Sequence, residues 1–223
     1  MCRGWIGEQT TRLGMLMFLN KNVYRQIHNL IIPTANGTTQ IDHVLISTFG
    51  IFVIETKNVK GWIFGGKDDA QWTQVLFGKK YRFQNPLRQN YRHTKSLADF
   101  LNLDHSLFRS VVFFIGDCQF KTAMPREVMT SGLAAYIKGF TNICLDETQM
   151  TQSVAKLDAF KRNPKSTRRD HVASLKQRYN STTTCPRCGN PLQTRICRKG
   201  PLAGQSFLGC SRYPACKFAR NCK

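Results

Sequence analysis

The sequence predicts an α/β domain followed by a small cysteine-rich module held together by a metal. Three observations carry that reading. Strand-length apolar runs and helical stretches intermix from Gly7 to Arg162. Hydrophobic residues make up 41% and aromatics 11% of the 223 residues, enough for a packed core and too much for a disordered tail. Six of the nine cysteines, Cys185, Cys188, Cys197, Cys210, Cys216 and Cys222, crowd the end of the chain, whereas Cys2, Cys118 and Cys144 are scattered.

The elements follow in order. Leu13, Leu16, Met17 and Asn20 fall at helical spacing, so Gly7 to Asn20 reads as a first helix. Val23 to Ile32 is a strand closed by Pro33 and the turn-like Ala35-Asn36-Gly37. Thr39 to Ser47 and Ile51 to Lys57 form two strong strands joined across Thr48-Phe49-Gly50. Shorter strands follow at Trp62–Phe64, Trp72–Phe77 and Tyr81–Phe83. Asn85-Pro86 opens a helix to about Leu103, with proline in the first turn, where no amide partner is lost. Arg109 to Gly116 is a buried strand, Glu127 to Ser131 another, and Leu133 to Lys138 a helix. Asp146 with Gln149 forms a capping box that starts a helix to about Arg162. Val172, Leu175 and Tyr179 mark a further basic helix, and Asn180 to Thr184 is a linker.

Charge narrows the partners. The formal net charge is +20, and it is lopsided. From Thr151 onward there are 16 basic and 2 acidic side chains, against 17 and 11 before it. Such an excess favours polyanions, because each neutralised phosphate releases counterions. Nucleic acid is therefore the expected partner. No apolar run approaches the roughly 18–20 residues of a membrane span, and the start lacks the apolar core of a secretory signal. The expected location is the cytoplasm, on the nucleoid if the source is bacterial, with no membrane partner.

The chemistry concentrates in one hairpin, Ile41-Asp42-His43-Val44-Leu45-Ile46 and Gly50-Ile51-Phe52-Val53-Ile54-Glu55-Thr56-Lys57. Alternation puts Glu55 and Lys57 on one face, and reversal near Gly50 brings Asp42 opposite Glu55 or within a residue or two. Two carboxylates beside an ammonium suit Mg²⁺, a hard cation that keeps several waters. A surface ion pair with Lys57 is the plain alternative. Gly61 to Asp68 approaches a phosphate-binding loop, but Asp68 stands where a hydroxyl is needed, so ATP is not expected.

These residues carry a resemblance. Gly7-Glu8, Gln40-Ile41-Asp42-His43, Gly50 to Asn58, Gly61-Trp62-Ile63, Trp72 and Asn85-Pro86-Leu87-x-Gln89-x-x-x-His93 occur in the order of the NERD (nuclease-related) domain. That domain is a branch of the PD-(D/E)xK superfamily. The resemblance implies a restriction-endonuclease-like central mixed sheet flanked by helices. It also implies Asp42 and Glu55 as Mg²⁺ ligands, Lys57 as the catalytic lysine, Glu8 as a first-helix acid near the metal, and Gln89 facing the site. His43 and His93 read as packing or hydrogen-bonding residues.

At the other end, Cys185-Pro-Arg-Cys188-Gly189 is a zinc knuckle, with Cys210 and Cys216 offering a second thiolate pair. Cys197 and Cys222 remain open as substitutes on spacing alone. Cys-Pro-x-Cys-Gly-x-Pro-Leu, Arg198-Lys199-Gly200-Pro201 and Phe207-x-Gly-Cys-Ser-x-Tyr-Pro-x-Cys-Lys resemble the zinc ribbon at the carboxyl end of type IA topoisomerases. That resemblance makes Cys185, Cys188, Cys210 and Cys216 the zinc ligands and the module a single-stranded DNA binder. Tyr213 and Phe218 offer stacking faces, and Arg195, Arg198, Lys199, Arg212, Lys217 and Arg220 offer phosphate contacts. Phe207 is read equally well as core. The chain has no room for a topoisomerase clamp. The expected layout is a nuclease-like domain over 1–140, a basic helical extension and linker over 141–184, and the ribbon over 185–223. The expected activity is Mg²⁺-dependent phosphodiester hydrolysis, against a non-catalytic DNA-processing accessory role.

Overall fold

The structure, a computed structural model, describes residues 14, 19–34, 37–162 and 168–221. It divides into two compact units. One contains the described residues up to Ile32 and from Thr39 through Arg162; the other contains the described part of residues 33–38 and everything from Arg168 onward. The expected first helix falls almost wholly outside the described residues.

The first unit is built on a five-stranded sheet of order β1-β2-β3-β7-β9, with β1 Arg25–Thr34, β2 Gly37–Ser47, β3 Gly50–Asn58, β7 Phe108–Ile115 and β9 Val128–Met129. Strand β3 lies at its centre, antiparallel to β2 and parallel to β7. A strand covered on both faces reads as a continuous apolar run, and Gly50 through Glu55 are all buried. Odd and even positions serve different layers. Ile51 and Val53 join Val44, Ile46, Leu97, Leu101 and Leu157 on one face, while Phe52 and Ile54 join Leu45, Val111, Leu133 and Ile137 on the other. The mixed sheet is thus flanked by α1 Pro86–Leu101 and α3 Glu147–Arg162 on one side and α2 Leu133–Lys138 on the other.

A second sheet of order β6-β5-β4-β8 comprises β4 Gly61–Phe64, β5 Gln71–Leu76, β6 Lys79–Gln84 and β8 Cys118–Phe120. It joins the first through Trp72, whose ring stacks on Phe114 at a centroid distance of 6.0 Å and 13°. Gly61–Phe64 is strand, so no phosphate-binding loop forms there.

Most expected elements are present with their ends shifted by a few residues. Strand β1 runs on through Pro33 instead of stopping before it, because an edge strand tolerates a residue without an amide donor. The short β8 and a 3-10 turn at His105–Leu107 carry too little pattern to be read from sequence. The capping box is made as expected: Gln149 N donates to Asp146 Oδ1 (2.7 Å) and Asp146 N to Gln149 Oε1 (3.3 Å). Helix α3, expected in the extension, buries Leu157 in the same core as β2 and β3.

Helix α1 is fastened by amides. Asn85 caps it by accepting from Leu87 N (2.9 Å), and its Nδ2 donates to Gly66, Lys67 and Asp69 carbonyls. Fully buried Asn90 donates from Nδ2 to Val53 O (2.8 Å), Val111 O (2.9 Å) and Ser110 Oγ (3.0 Å), tying the helix to both central parallel strands. Asn90→Leu fills a similar volume but cannot donate. It should cost about 2–4 kcal/mol, the sum expected for several lost buried bonds, read as a lowered urea midpoint with unchanged m-value.

Candidate functional site

Polar chemistry begins where the apolar run of β3 ends. Residue parity places Asp42, Glu55 and Lys57 on the α1 face of the sheet, the face of Val44, Ile51 and Val53. The carboxyl end of a parallel strand is also where α/β sheets gather ligands. Glu55 is only 4% exposed, so its carboxylate must find partners inside the protein. Lys57 Nζ donates to Glu55 Oε1 (2.6 Å) and to Gln89 Oε1 (3.0 Å), and Gln89 Nε2 donates to the same Glu55 oxygen (2.8 Å). The three side chains close a hydrogen-bonded triangle. Glu55 Oε2 lies 3.3 Å from His93 Nε2, and His93 Nδ1 shares a 2.8 Å hydrogen bond with Thr39 Oγ1. Lys57 thus holds one carboxylate oxygen, and His93, itself bonded to Thr39 on β2, holds the other.

Asp42 sits one position beyond the last β2–β3 pair, His43 with Ile54. Its Oδ2 accepts from Thr56 N (2.9 Å), so the acid is anchored to the backbone between Glu55 and Lys57. The structure therefore brings Asp42, Glu55, Lys57 and Gln89 to one end of β3. Glu8 lies outside the described residues. His43 makes a 2.8 Å contact with His28 Nδ1 and is buried, in keeping with a packing and hydrogen-bonding residue. His93 has the same kind of role, and one of its partners is Glu55 itself.

Sequence reasoning passed over Thr39, Asn90 and the His93–Glu55 contact. A signal was present: Asn90, His93 and Thr94 occupy buried positions of α1, continuing as Leu97, Ala98 and Leu101. Polar residues where the helical stripe should be apolar mark a face that meets something polar.

Burial alone would raise the Glu55 carboxyl, but the hydrogen bond from His93 and the Lys57 ammonium hold it below the ordinary glutamate value. It is kept ionised, as an oxygen ligand must be. Two carboxylates on neighbouring strands are donors for a hard dication. Among the described residues the one group of three or more His, Cys, Asp or Glu whose ligand atoms all lie within 4.8 Å of one another is the cysteine site.

That cysteine site belongs to the second unit. It contains α4 Arg168–Asn180 and a three-stranded sheet of β10 Leu192–Ile196, β11 Ser206–Cys210 and β12 Ala219–Asn221. Gly189 N donates to Cys185 O (2.9 Å), and Gly189 sits at φ 76°, the left-handed conformation this knuckle requires. The thiols of Cys185, Cys188, Cys210 and Cys216 lie within 4.8 Å of one another, with Sγ–Sγ distances of 3.3 Å for Cys188–Cys210 and 3.8 Å for Cys185–Cys216. Four sulfurs at about 2.3 Å from a tetrahedral zinc are separated by about 3.8 Å, so the cage already has the size of that ion. Cys197 stands apart, its thiol donating to Lys199 O (3.3 Å), and Cys222 lies outside the described residues. Burial pushes the Cys185 thiol up to about 12, whereas hydrogen bonds with Asn190 and Cys210 outweigh burial and bring Cys188 down to about 7.

Beside the cage, a groove of about 840 Å³ is lined by Arg195, Arg198, Phe207, Tyr213, Lys217 and Phe218, among others. Tyr213 is 60% exposed under the Arg195 guanidinium at 5.7 Å. Arg198, Lys199, Arg212 and Lys217 are exposed. Phe218, expected as a stacking face, is instead only 7% exposed and packs against Cys185 and Cys210. Among the described residues of the ribbon it is the buried aromatic, with Leu192 packed beside it. Arg220 bonds the carbonyls of Tyr179 and Ser181, which fastens the ribbon to the end of α4.

The comparisons with known proteins agree with this anatomy. The family model described as the nuclease-related domain, NERD, matches residues 3–115, half of the chain. The chain belongs to the NERD family. The match covers β1 to β7 and hence every described residue of the Glu55 cluster. Residues 182–223 match the topoisomerase DNA-binding C4 zinc finger. That match and the thiol cage together support a structural zinc, and they connect this NERD chain to DNA. An uncharacterized Bacillus anthracis protein, pXO1-01, is 47% identical over 96 residues, which is 43% of this chain. The matched stretch spans 45% of that relative's length. No solved structure matches. Among the described residues no helix is long and apolar enough to cross a membrane.

Two predictions follow from these geometries. Glu55 has a folded pKa below its unfolded value near 4.5, so its pairing stabilises the fold above that pH and is lost as pH falls through the folded value. Urea midpoints measured from pH 7 to pH 3 should fall in the acid range, and Glu55→Gln should flatten that fall. In the ribbon, metal analysis should find about one zinc per chain. Cys188→Ser or chelation should abolish the hydrogen-exchange protection of the β10 and β11 amides while that of β3 and β7 persists.

Proposed function

We propose that this NERD chain is a Mg²⁺-dependent DNA nuclease whose zinc ribbon holds the DNA strand. The convergence of Glu55, Lys57 and Gln89 within hydrogen-bond distance at the end of β3 carries the reading. Asp42 and Glu55 would hold the metal, with Glu8 of the expected first helix as an added acid. Their hard oxygens and the ionised state of Glu55 suit Mg²⁺, which usually takes one or two carboxylates and fills the rest of its shell with water. When bound, such an ion supplies Lewis-acid polarisation of the phosphodiester and an acidified water.

The protein's own groups do the positioning. Lys57 is 22% exposed at its side chain, so its ammonium can reach a phosphate oxygen while remaining anchored, and it can steady the negative charge that grows there. Gln89 bonds both Lys57 and Glu55 and so fixes the orientation of their 2.6 Å ion pair. His93, backed by Thr39, fixes the second Glu55 oxygen. In the ribbon, Arg195, Arg198, Lys199, Arg212 and Lys217 would neutralise phosphates, with Tyr213 stacking on an unpaired base. Phe218 would stiffen the groove from below.

One observation favours a second reading. Both Glu55 oxygens already have protein partners, which is the pattern of a structural ion-pair network. A non-catalytic DNA-processing accessory protein would look the same. Incubation with linear, nicked and single-stranded DNA, with Mg²⁺ or with EDTA, separates the two. The nuclease reading expects cleavage that EDTA abolishes and that Lys57→Ala or Glu55→Gln lowers by roughly a hundredfold or more. Metal-dependent cleavage untouched by Lys57→Ala would remove this site from the chemistry, and no cleavage of any substrate would favour the accessory role.

A further inference from the structure

The turn between β5 and β6 has a conformation that its sequence does not favour. Leu76 pairs with Lys79, leaving Phe77 and Gly78 as a two-residue loop. Phe77 has φ 49° and Gly78 φ 73°, so both central residues are left-handed, as in a type I′ hairpin turn. Asn-Gly is the usual solution, because asparagine tolerates that region and a bulky side chain does not. Here the first position holds phenylalanine, and its side chain is 94% exposed. The residue is thus both conformationally disfavoured and unburied, and folding gives no reason for either.

Its surroundings indicate what it meets. From Gln71 to Gln84 the hairpin has three cations, Lys79, Lys80 and Arg82, and no Asp or Glu. All three are exposed on the edge strand β6, and among the described residues none of their side chains takes part in a hydrogen bond or ion pair. Tyr81, between Lys80 and Arg82, is half exposed. A ring at the tip followed by unpaired cations and a second ring offers stacking faces for bases and counter-charges for phosphates. Charge complementarity selects a polyanion, and the rings select one with accessible flat faces.

We propose that the β5–β6 hairpin is a second nucleic-acid contact, separate from the ribbon, in which Phe77 stacks on an unpaired base and Lys79, Lys80 and Arg82 hold the adjoining phosphates. The proposal deepens the DNA-binding reading and is independent of cleavage, so its test omits divalent metal. Binding of the zinc-loaded full chain to a single-stranded oligonucleotide carrying 2-aminopurine, in metal-free buffer without added Mg²⁺ or chelator, reads affinity and stacking together. Phe77→Asn restores the favoured turn residue, so the hairpin should be as stable as in the wild type or more so. It should nevertheless bind roughly five- to tenfold more weakly, the lower end for one lost base stack, and quench the probe less. Phe77→Tyr, which keeps the ring, should bind like the wild type. Equal affinity and quenching for Phe77→Asn would overturn the proposal. So would loss of binding to phosphatidylserine vesicles with DNA binding intact, which would give the tip to a lipid surface. If DNA cleavage failed while Phe77→Asn still weakened binding, the nuclease reading would fall and this contact would stand.

Discussion

A buried carboxylate is the constraint on which the first unit depends. Leaving Glu55 charged and unpartnered inside the sheet would cost several kcal/mol. The remedy comes from α1 through Gln89 and His93, from β2 through Thr39, and from β3 itself through Lys57. Each partner has to be held in place in turn. Asn85 fixes the start of the helix, and Asn90 bolts its middle to β3 and β7. The chain of amides along one face of α1 is thus a consequence of one acid at the end of one strand. Replacing the whole set by apolar residues would cost the fold little, which is a reason to look for its purpose in chemistry.

The two candidate metal sites embody different answers to the same demand for rigidity. In the ribbon four soft thiolates would enclose a zinc ion, and the module's small core of Cys185, Cys210 and Phe218 would leave that metal to supply much of the folding free energy. At β3 the packing comes first: Val44, Ile46, Ile51 and Val53 build the platform, and the carboxylates of Asp42 and Glu55 stand on it, hydrogen-bonded to Thr56 N, Lys57 and Gln89. One site is closed and holds structure. The other is held by structure and stays accessible through Lys57.

How much of this could be read beforehand follows from the range of the forces involved. Strands β2 and β3, the capping box of α3 and the cysteine knuckle were legible because alternation, local hydrogen bonding and chelate spacing act within a few residues. The hairpin put Asp42, Glu55 and Lys57 together for the same reason. The His93–Thr39 link spans 54 residues, and nothing local marks it. The burial of Phe218 was missed because exposure depends on how few other side chains the ribbon offers. Ends of β1 and the short β8 escaped because an edge strand and a three-residue strand depend on neighbours supplied by tertiary structure.

The parallel pairing of β3 with β7 also governs when the site can exist. Glu55 lies beside Val112, a residue far along the chain, and between them come β4, β5, β6 and α1. Such non-local pairing is slow, because loop closure has to precede the contacts that reward it. During synthesis Glu55 and Lys57 therefore emerge well before Gln89 and His93 and remain hydrated side chains on an unfinished hairpin. The cluster is a late product of folding, so a partly folded chain lacks the hydrogen bonds that hold Glu55 in place.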